Sequence, residues 1–495
     1  MLPRPRRVTA AAALGAALLL TIATNTASAA FGPLPPANPY LGPLGTATMH
    51  GDAESSDATP LAGPGTGEIK ADFHELAAAC PTILQGADGL PQALCTKITD
   101  RAPEVLLLDP NTGNTLASLD LTKGSLLGGV YAYLDEQDRM VTVDGSGNLL
   151  RVGHQRGADG GWKLSITSKT DVSQAVTGHC GGGGCDAVSS VMADFDGRVW
   201  FATDNAAAGF VGTDGVAKSI LLAPGETVAN SISTAPQGVA IATSHALYLV
   251  DVDGGGNPRV LWRQAYDRGP ARKPGQLSWG TGATPTFFGP GSGTEYLAIT
   301  DNAAGKENLN VYETGTGRTV CSVPAIDGTE NSPIGSGNSL FVASTYGYPY
   351  PQLPANAGPS QPASASFTGG MTRIDVTGSG CTVVWTNSVP SAAVPRLSVA
   401  DGKIYTVTRR GLLGSGSAEL PSGSAGSGSA DSGSASGIAD TYRLAVIDAA
   451  TGKVESERFM GATTVHDTLQ MVGTIAPGRV QYQGTLSGLF RITPR

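Results

Sequence analysis

Charged residues are scarce in this chain: Asp, Glu, Lys and Arg make up 15% of 495 residues. That scarcity excludes a coiled coil and a charge-driven disordered chain. Aromatics reach only 6%, with 6 cysteines and 7 methionines. Beyond the first thirty residues the apolar runs are strand-length, so no membrane span is expected. A Gly-x-Ser-x-Gly elbow and a His-Glu-x-x-His motif are also missing, which removes the commonest signatures of exported hydrolases. What abounds is glycine, with 68 residues, and proline, with 32. The glycines lack the three-residue period of collagen, and breakers this frequent leave no room for a helical bundle.

Arg4, Arg6 and Arg7 precede an apolar Ala/Leu core from Ala10 to Ile22, followed by Ala27-Ser28-Ala29. A basic start, an apolar core and a small-residue cleavage site make residues 1–29 an export signal, and the mature protein is expected to be secreted. Cleavage would remove three of the 32 basic residues and none of the 41 acidic ones, leaving a net charge of −12. Nucleic acid is a poor partner for such a chain. Six cysteines in an exported protein suit three disulfides. Proximity pairs Cys80 with Cys95 and Cys180 with Cys185, leaving Cys321 with Cys381. His179 beside the Cys180–Cys185 loop lacks the four-ligand spacing of a structural zinc site.

Residues 30–100 are Pro/Gly-rich and aperiodic, with one short helix expected over 73–80, and read as an extension strapped on by a disulfide. From residue 101 a pattern recurs, seen in Val105-Leu-Leu-Leu-Asp109-Pro-Asn-Thr-Gly113 and Leu444-Ala-Val-Ile-Asp448-Ala-Ala-Thr-Gly452. Each is a short apolar strand, an acidic residue and a Gly-containing turn, which is a β-hairpin unit. A second pair of strands recurs upstream of it, as in 190–203, 230–243 and 396–407. Four strands per repeat, at repeat lengths starting near forty, describe an all-β β-propeller of four-stranded blades. Units begin near Val130, Val188, Asn230, Gly282, Asn331, Val394 and Thr468, so seven blades over 101–495 are preferred. Eight would follow if 66–120 folds as a blade of its own. The last unit lacks a fourth strand, which segment 104–120 would supply, closing the ring through both chain ends and removing exposed sheet edges. Two insertions interrupt the repeats. Residues 411–438 are nearly all Gly, Ser and Ala and read as a flexible loop, whereas 346–368 is aromatic and Pro-rich.

The strand-Asp-x-x-Thr-Gly-strand unit, with Trp262 and Trp385 near the ends of fourth strands, resembles the repeat of the pyrroloquinoline-quinone-like propellers over about four-fifths of the chain. The resemblance implies blade geometry. The quinone dehydrogenases of that superfamily hold their cofactor on adjacent disulfide-linked cysteines beside a calcium; no adjacent cysteine pair occurs here, so pyrroloquinoline quinone is not expected.

In a propeller, the turn after the second strand of a blade and the residues leading into its first strand emerge on one face. Those positions place Asp204, Asn230, Asp301, Asn302, Glu330 and Asn331 at a channel mouth, with Arg396, His466 and Asp467. Carboxylates and amide oxygens gathered there would suit calcium or another divalent cation. The arrangement also looks like that of metal-dependent lactonase-type propellers, where a metal polarises a carbonyl or activates water. Each pair is equally explained as a turn former satisfying local backbone groups. Arg268, Lys273 and Trp279 lie in a long connection and form a candidate site for a carboxylate or sugar acid. The sequence therefore reads as a secreted propeller that binds a small molecule, glycan or protein at its channel mouth. The alternatives are a divalent-metal-dependent hydrolase and, behind it, a quinone-dependent oxidoreductase; no nucleophile or acid/base pair is identified.

Overall fold

Each repeat folds as an antiparallel four-stranded sheet whose burial follows from its place in the stack. In the blade at 188–221, the strands Val188–Ala193, Val199–Thr203 and Ala207–Val211 are almost wholly buried, while Ala217–Leu221 at the outer edge is part-exposed. The inner strands are covered on both faces by neighbouring blades, which is why they read as continuous runs of Val, Phe and Ala rather than alternating ones.

The computed structural model describes residues 31–123, 130–177, 187–354, 356–378, 380–411 and 440–495. The export signal, the Cys180–Cys185 pair and the Gly/Ser insertion beyond residue 411 lie outside them. Among the described residues there are eight four-stranded blades, not seven. Blades 1 to 7 span 78–120, 133–171, 188–221, 233–265, 286–326, 334–387 and 396–462; blade 8 contains Gly473–Ala476, Val480–Gly484 and Gly488–Pro494. The boundary expected near residue 101 falls inside blade 1. Its two inner strands, Ala78–Gln85 and Pro91–Lys97, contain Pro81 and a register shift between Ala79 and Thr82, which disguises their alternation in the sequence.

Segment 104–120 instead forms the two outer strands of blade 1 and does not complete blade 8. The fourth strand comes instead from Ile69–Glu75, antiparallel to Gly488–Pro494, where a helix had been expected over 73–80. Cross-strand pairing decides the conformation: Phe73 lies opposite Phe490 with ring centroids 5.0 Å apart. Blade 8 also meets blade 1, through Thr474 Oγ1 donating to the Ile83 carbonyl at 2.6 Å and Arg491 Nε to that of Pro110 at 2.9 Å.

The repeat motif is explained by contacts between blades. Asp109 Oδ1 accepts from the amides of Asn111 and Thr112, and Asp448 Oδ1 from the amide of Thr451, closing the turns. The turn then ends on a glycine at positive φ, +68° at Gly317 and +72° at Gly452, which is cheap only without a Cβ. A Cβ at Gly317 would come within 2.7 Å of Trp262, and one at Gly452 within 2.6 Å of Trp385. These tryptophans dock from the preceding blade and donate to the carbonyls of Thr314 and Ala449.

The segment before blade 1 is not an external strap. Every residue from 45 to 59 is buried. Its carbonyls accept from innermost-strand amides of blades 2, 4, 5, 6 and 7: Ala47 from Leu134, Ala53 from Thr234, Glu54 from Phe287, Ser56 from Gly335 and Asp57 from Leu397, all at 2.8–3.0 Å. Ala58–Thr59 also pairs parallel with Leu397 and Ser398 in blade 7. The segment thus occupies the axis and satisfies inner-edge donors that burial would otherwise leave unpaired. Among the described residues there are two disulfides, Cys80–Cys95 between the inner strands of blade 1 and Cys321–Cys381 between the outer strands of blades 5 and 6.

Candidate functional site

A cavity of about 450 Å³ opens above the axial segment, with Met49 and His50 among its lining residues. Strand-entrance residues of several blades line its wall, including Tyr131, Asn230, Glu330 and Asn331; Asp204 joins them from a second-strand end. Four of the six expected acid and amide residues therefore converge. Asp301 and Asn302 do not line this cavity. Asp301 closes a turn by accepting from the Asn308 amide and side chain at 2.7 Å each. Asn302 holds the basic connection from behind, its Nδ2 donating to the carbonyls of Arg268 at 2.6 Å and Ala271 at 2.9 Å.

The basic connection divides in the same way. Arg268 and Trp279 line the cavity, with the guanidinium 4.0 Å over the indole ring and Trp279 Nε1 donating to the Arg268 carbonyl at 3.0 Å. Trp279 remains 40% exposed. Lys273 instead turns inward, donating to the carbonyls of Gly305 and Asp327 with Glu307 3.5 Å away. Arg396 is buried at the axis, within 3.6 Å of Asp57 and donating to the Met49 carbonyl. Asp467 receives the Tyr348 hydroxyl and an Arg409 guanidinium nitrogen at 3.0 Å, and His466 packs on Phe73.

Glu330 is anchored by the Leu277 amide, 2.9 Å from Oε2. Burial pushes its carboxyl up to about 7, against the opposing pull of that amide, the Arg272 charge and the Asn230 side chain. Asn331 donates through Nδ2 to Gln470 Oε1 at 3.2 Å and leaves Oδ1 without a partner. His50 Nε2, the Tyr350 hydroxyl and Arg268 Nε are likewise buried and unpartnered in residues that line the cavity. Buried polar atoms are normally satisfied, so these four stand out among the lining residues.

His50, Tyr131, Tyr350 and Gln470 were not identified from sequence. Tyr350 belongs to the aromatic connection 346–368, which lies over this face: Tyr350 and Pro354 line the cavity and Tyr348 reaches Asp467. Tyr131 sits at the start of a recognised unit. His50 had only the polar character of 46–57 as its signal, and polarity reads as a loop until its burial is known.

No family model matches the sequence, and no curated protein matches it. Solved structures share the fold. A europium-containing methanol dehydrogenase aligns with a TM-score of 0.52 at 8% identity, over 90% of this chain and 98% of that one. A quinohemoprotein alcohol dehydrogenase from Pseudomonas putida HK5 gives 0.50 at 10% identity, over 90% and 79%. BamB from Moraxella catarrhalis gives 0.46 at 11%, over 86% and 97%. The chain is a β-propeller, the fold it shares with these two dehydrogenases. At these identities the likeness is one of fold, and function has to be argued from the site.

The site residues do not fit a quinone held on adjacent cysteines beside a cation. Cys80, Cys95, Cys321 and Cys381 pair off outside the cavity lining. Among the described residues, no three His, Cys, Asp or Glu side chains are grouped to hold a metal, and Asp204 and Glu330 are the only carboxylates lining the cavity. No helix of the described residues is long and apolar enough to cross a membrane.

Proposed function

We propose that this is an exported propeller whose eight blades close into a ring, and that it binds a small polyhydroxylated molecule, a mono- or disaccharide, in the axial cavity. The observation that carries the reading is the set of buried, unpartnered polar atoms, His50 Nε2, Asn331 Oδ1 and the Tyr350 hydroxyl, in residues lining one cavity of ligand size. Two of these are acceptors that call for a hydroxyl-rich ligand, and the Tyr350 hydroxyl can donate or accept. Glu330 adds a carboxyl and Asn230 an amide to the same wall. Trp279, half-open with its ring braced by Arg268, supplies an apolar platform of the kind a sugar face covers. The export signal and the two disulfides support an extracellular setting.

The test is titration with a panel of aldoses, disaccharides, sugar acids and polyols, followed by tryptophan fluorescence and melting temperature. At least one sugar should change the fluorescence and raise the melting temperature, and Trp279→Ala should abolish the fluorescence change and weaken binding about tenfold or more, in line with an aromatic contact of about 1.4 kcal/mol. A panel without any response would overturn the reading.

A further inference from the structure

The floor of the cavity carries an arrangement that binding alone does not require. His50 is 6% exposed, and its Nδ1 lies 3.0 Å from both carboxylate oxygens of Asp57. Asp57 is fully buried, accepts from Ser332 Oγ at 2.5 Å, and has Arg396 3.6 Å away. A carboxylate beside a guanidinium accepts hydrogen bonds and donates none. The imidazole proton is therefore placed on Nδ1, and Nε2 keeps its lone pair. That nitrogen has no partner, in a ring that lines the cavity. The His50–Asp57 contact thus has the form of a base held in one tautomer by an orienting carboxylate. On the same cavity stands Glu330, a carboxyl with one oxygen fixed by the Leu277 amide.

We propose that His50 and Glu330 form an acid–base pair that opens and recloses the ring of a reducing sugar. His50 Nε2 takes the proton of the anomeric hydroxyl, and the freed electron pair forms the carbonyl. The bond from the anomeric carbon to the ring oxygen breaks, and Glu330 delivers its proton to that oxygen. Closure on the other face of the carbonyl runs both transfers backwards, so His50 ends neutral and Glu330 protonated. No water, oxidant or metal is consumed. Both groups would touch the substrate; Asp57 is a positioning residue acting through His50. The inference rests on the sugar-binding reading and adds a reaction to it.

The experiment follows anomeric relaxation of freshly dissolved α-D-glucose, α-D-galactose, α-D-xylose and α-lactose by proton NMR with the intact protein, beside fluorescence titration of the same sugars. The expected result is that a sugar which binds also relaxes faster than in buffer, and that Glu330→Gln and His50→Gln slow the protein-dependent rate at saturating sugar by about 100-fold or more. Binding without acceleration overturns the acid–base assignment and leaves the sugar-binding reading intact; absence of binding overturns both.

Because His50 lies in the axial segment and its variant can fail to fold, the pH–rate profile of the unaltered protein provides a second check. His50 is faced by Asp57 and Ser332, with Arg396 behind them; Glu330 is faced by Arg272, the Leu277 amide and Asn230, with Tyr131 and Tyr350 on the same cavity. The rate should fall above about 7 as Glu330 loses its proton. A flat profile overturns the proposal.

Discussion

Glu330 shows how one residue can carry a function and a cost together. Its carboxyl titrates at about 7 in the folded chain against an ordinary 4.5, because burial disfavours the charged form. A raised carboxyl favours the fold fully below the unfolded value, and that contribution is lost as pH rises through the folded one. Asp52, pushed up to about 6 by burial, acts in the same direction. Glu330→Gln should therefore gain melting temperature relative to the parent protein between pH 4.5 and 8, read by calorimetry; an equal difference at both ends would refute the assignment. Gly275 is a second residue whose identity follows from one close approach. Its φ is +85°, and a Cβ there would lie 1.9 Å from the Thr345 carbonyl oxygen. Gly275→Ala should cost more than the roughly 1–2 kcal/mol of the left-handed conformation alone, as measured by urea unfolding. It should also loosen the cavity wall, because Thr345 Oγ1 joins the Gly275 carbonyl to the Glu330 amide.

At the scale of elements, the axial segment 45–59 connects blades that are far apart in sequence. Its stability rests on backbone bonds to inner strands and on a buried charged group, Asp57, which contacts His50, Ser332 and Arg396. Removing one member of a buried pair strands the other, so Arg396→Ala should lower stability by about 3–5 kcal/mol in denaturant unfolding. Amide exchange gives a complementary observation. The Leu134, Thr234, Phe287, Gly335 and Leu397 amides should lose protection together in a protein lacking residues 31–61, while outer-strand amides such as those of 258–265 are less affected. Independent behaviour of these five amides would count against one axial element. This segment was not legible in the sequence because its partners are donors on separate blades, and a run such as Thr46 to Asp57 shows neither the helical spacing nor the strand alternation of apolar residues. The Asp-x-x-Thr-Gly turns were legible, since their bonds are local: Asp109 to Asn111, Asp448 to Thr451.

At the scale of the whole molecule, the two disulfides act differently. Cys321–Cys381 spans 60 residues and ties two blades at their outer strands, whereas Cys80–Cys95 spans 15 and is wholly buried. By loop-closure entropy the longer crosslink is worth about 4 kcal/mol, so a protein with both Cys321→Ser and Cys381→Ser should lose up to that amount. Because its partners are only partly buried, it should open first under mild reductant, as alkylation and peptide mass mapping would show; earlier opening of Cys80–Cys95 would contradict this order. By itself the sequence determined the blade. Short strands, turn residues and the Trp and Gly positions are set by local sterics and hydrogen bonding, and these made the repeat and its propeller fold readable. Four of six acid and amide positions also followed, because strand polarity alone puts those turns on one face. The tertiary structure decided the rest: the eighth blade, the exchange of segment 104–120 for Ile69–Glu75, the inward turn of Lys273 and Arg396, and His50 in the cavity lining. Those outcomes depend on which distant strands compete for an edge and which polar groups are withdrawn from water. Neither quantity exists until the chain has closed on itself.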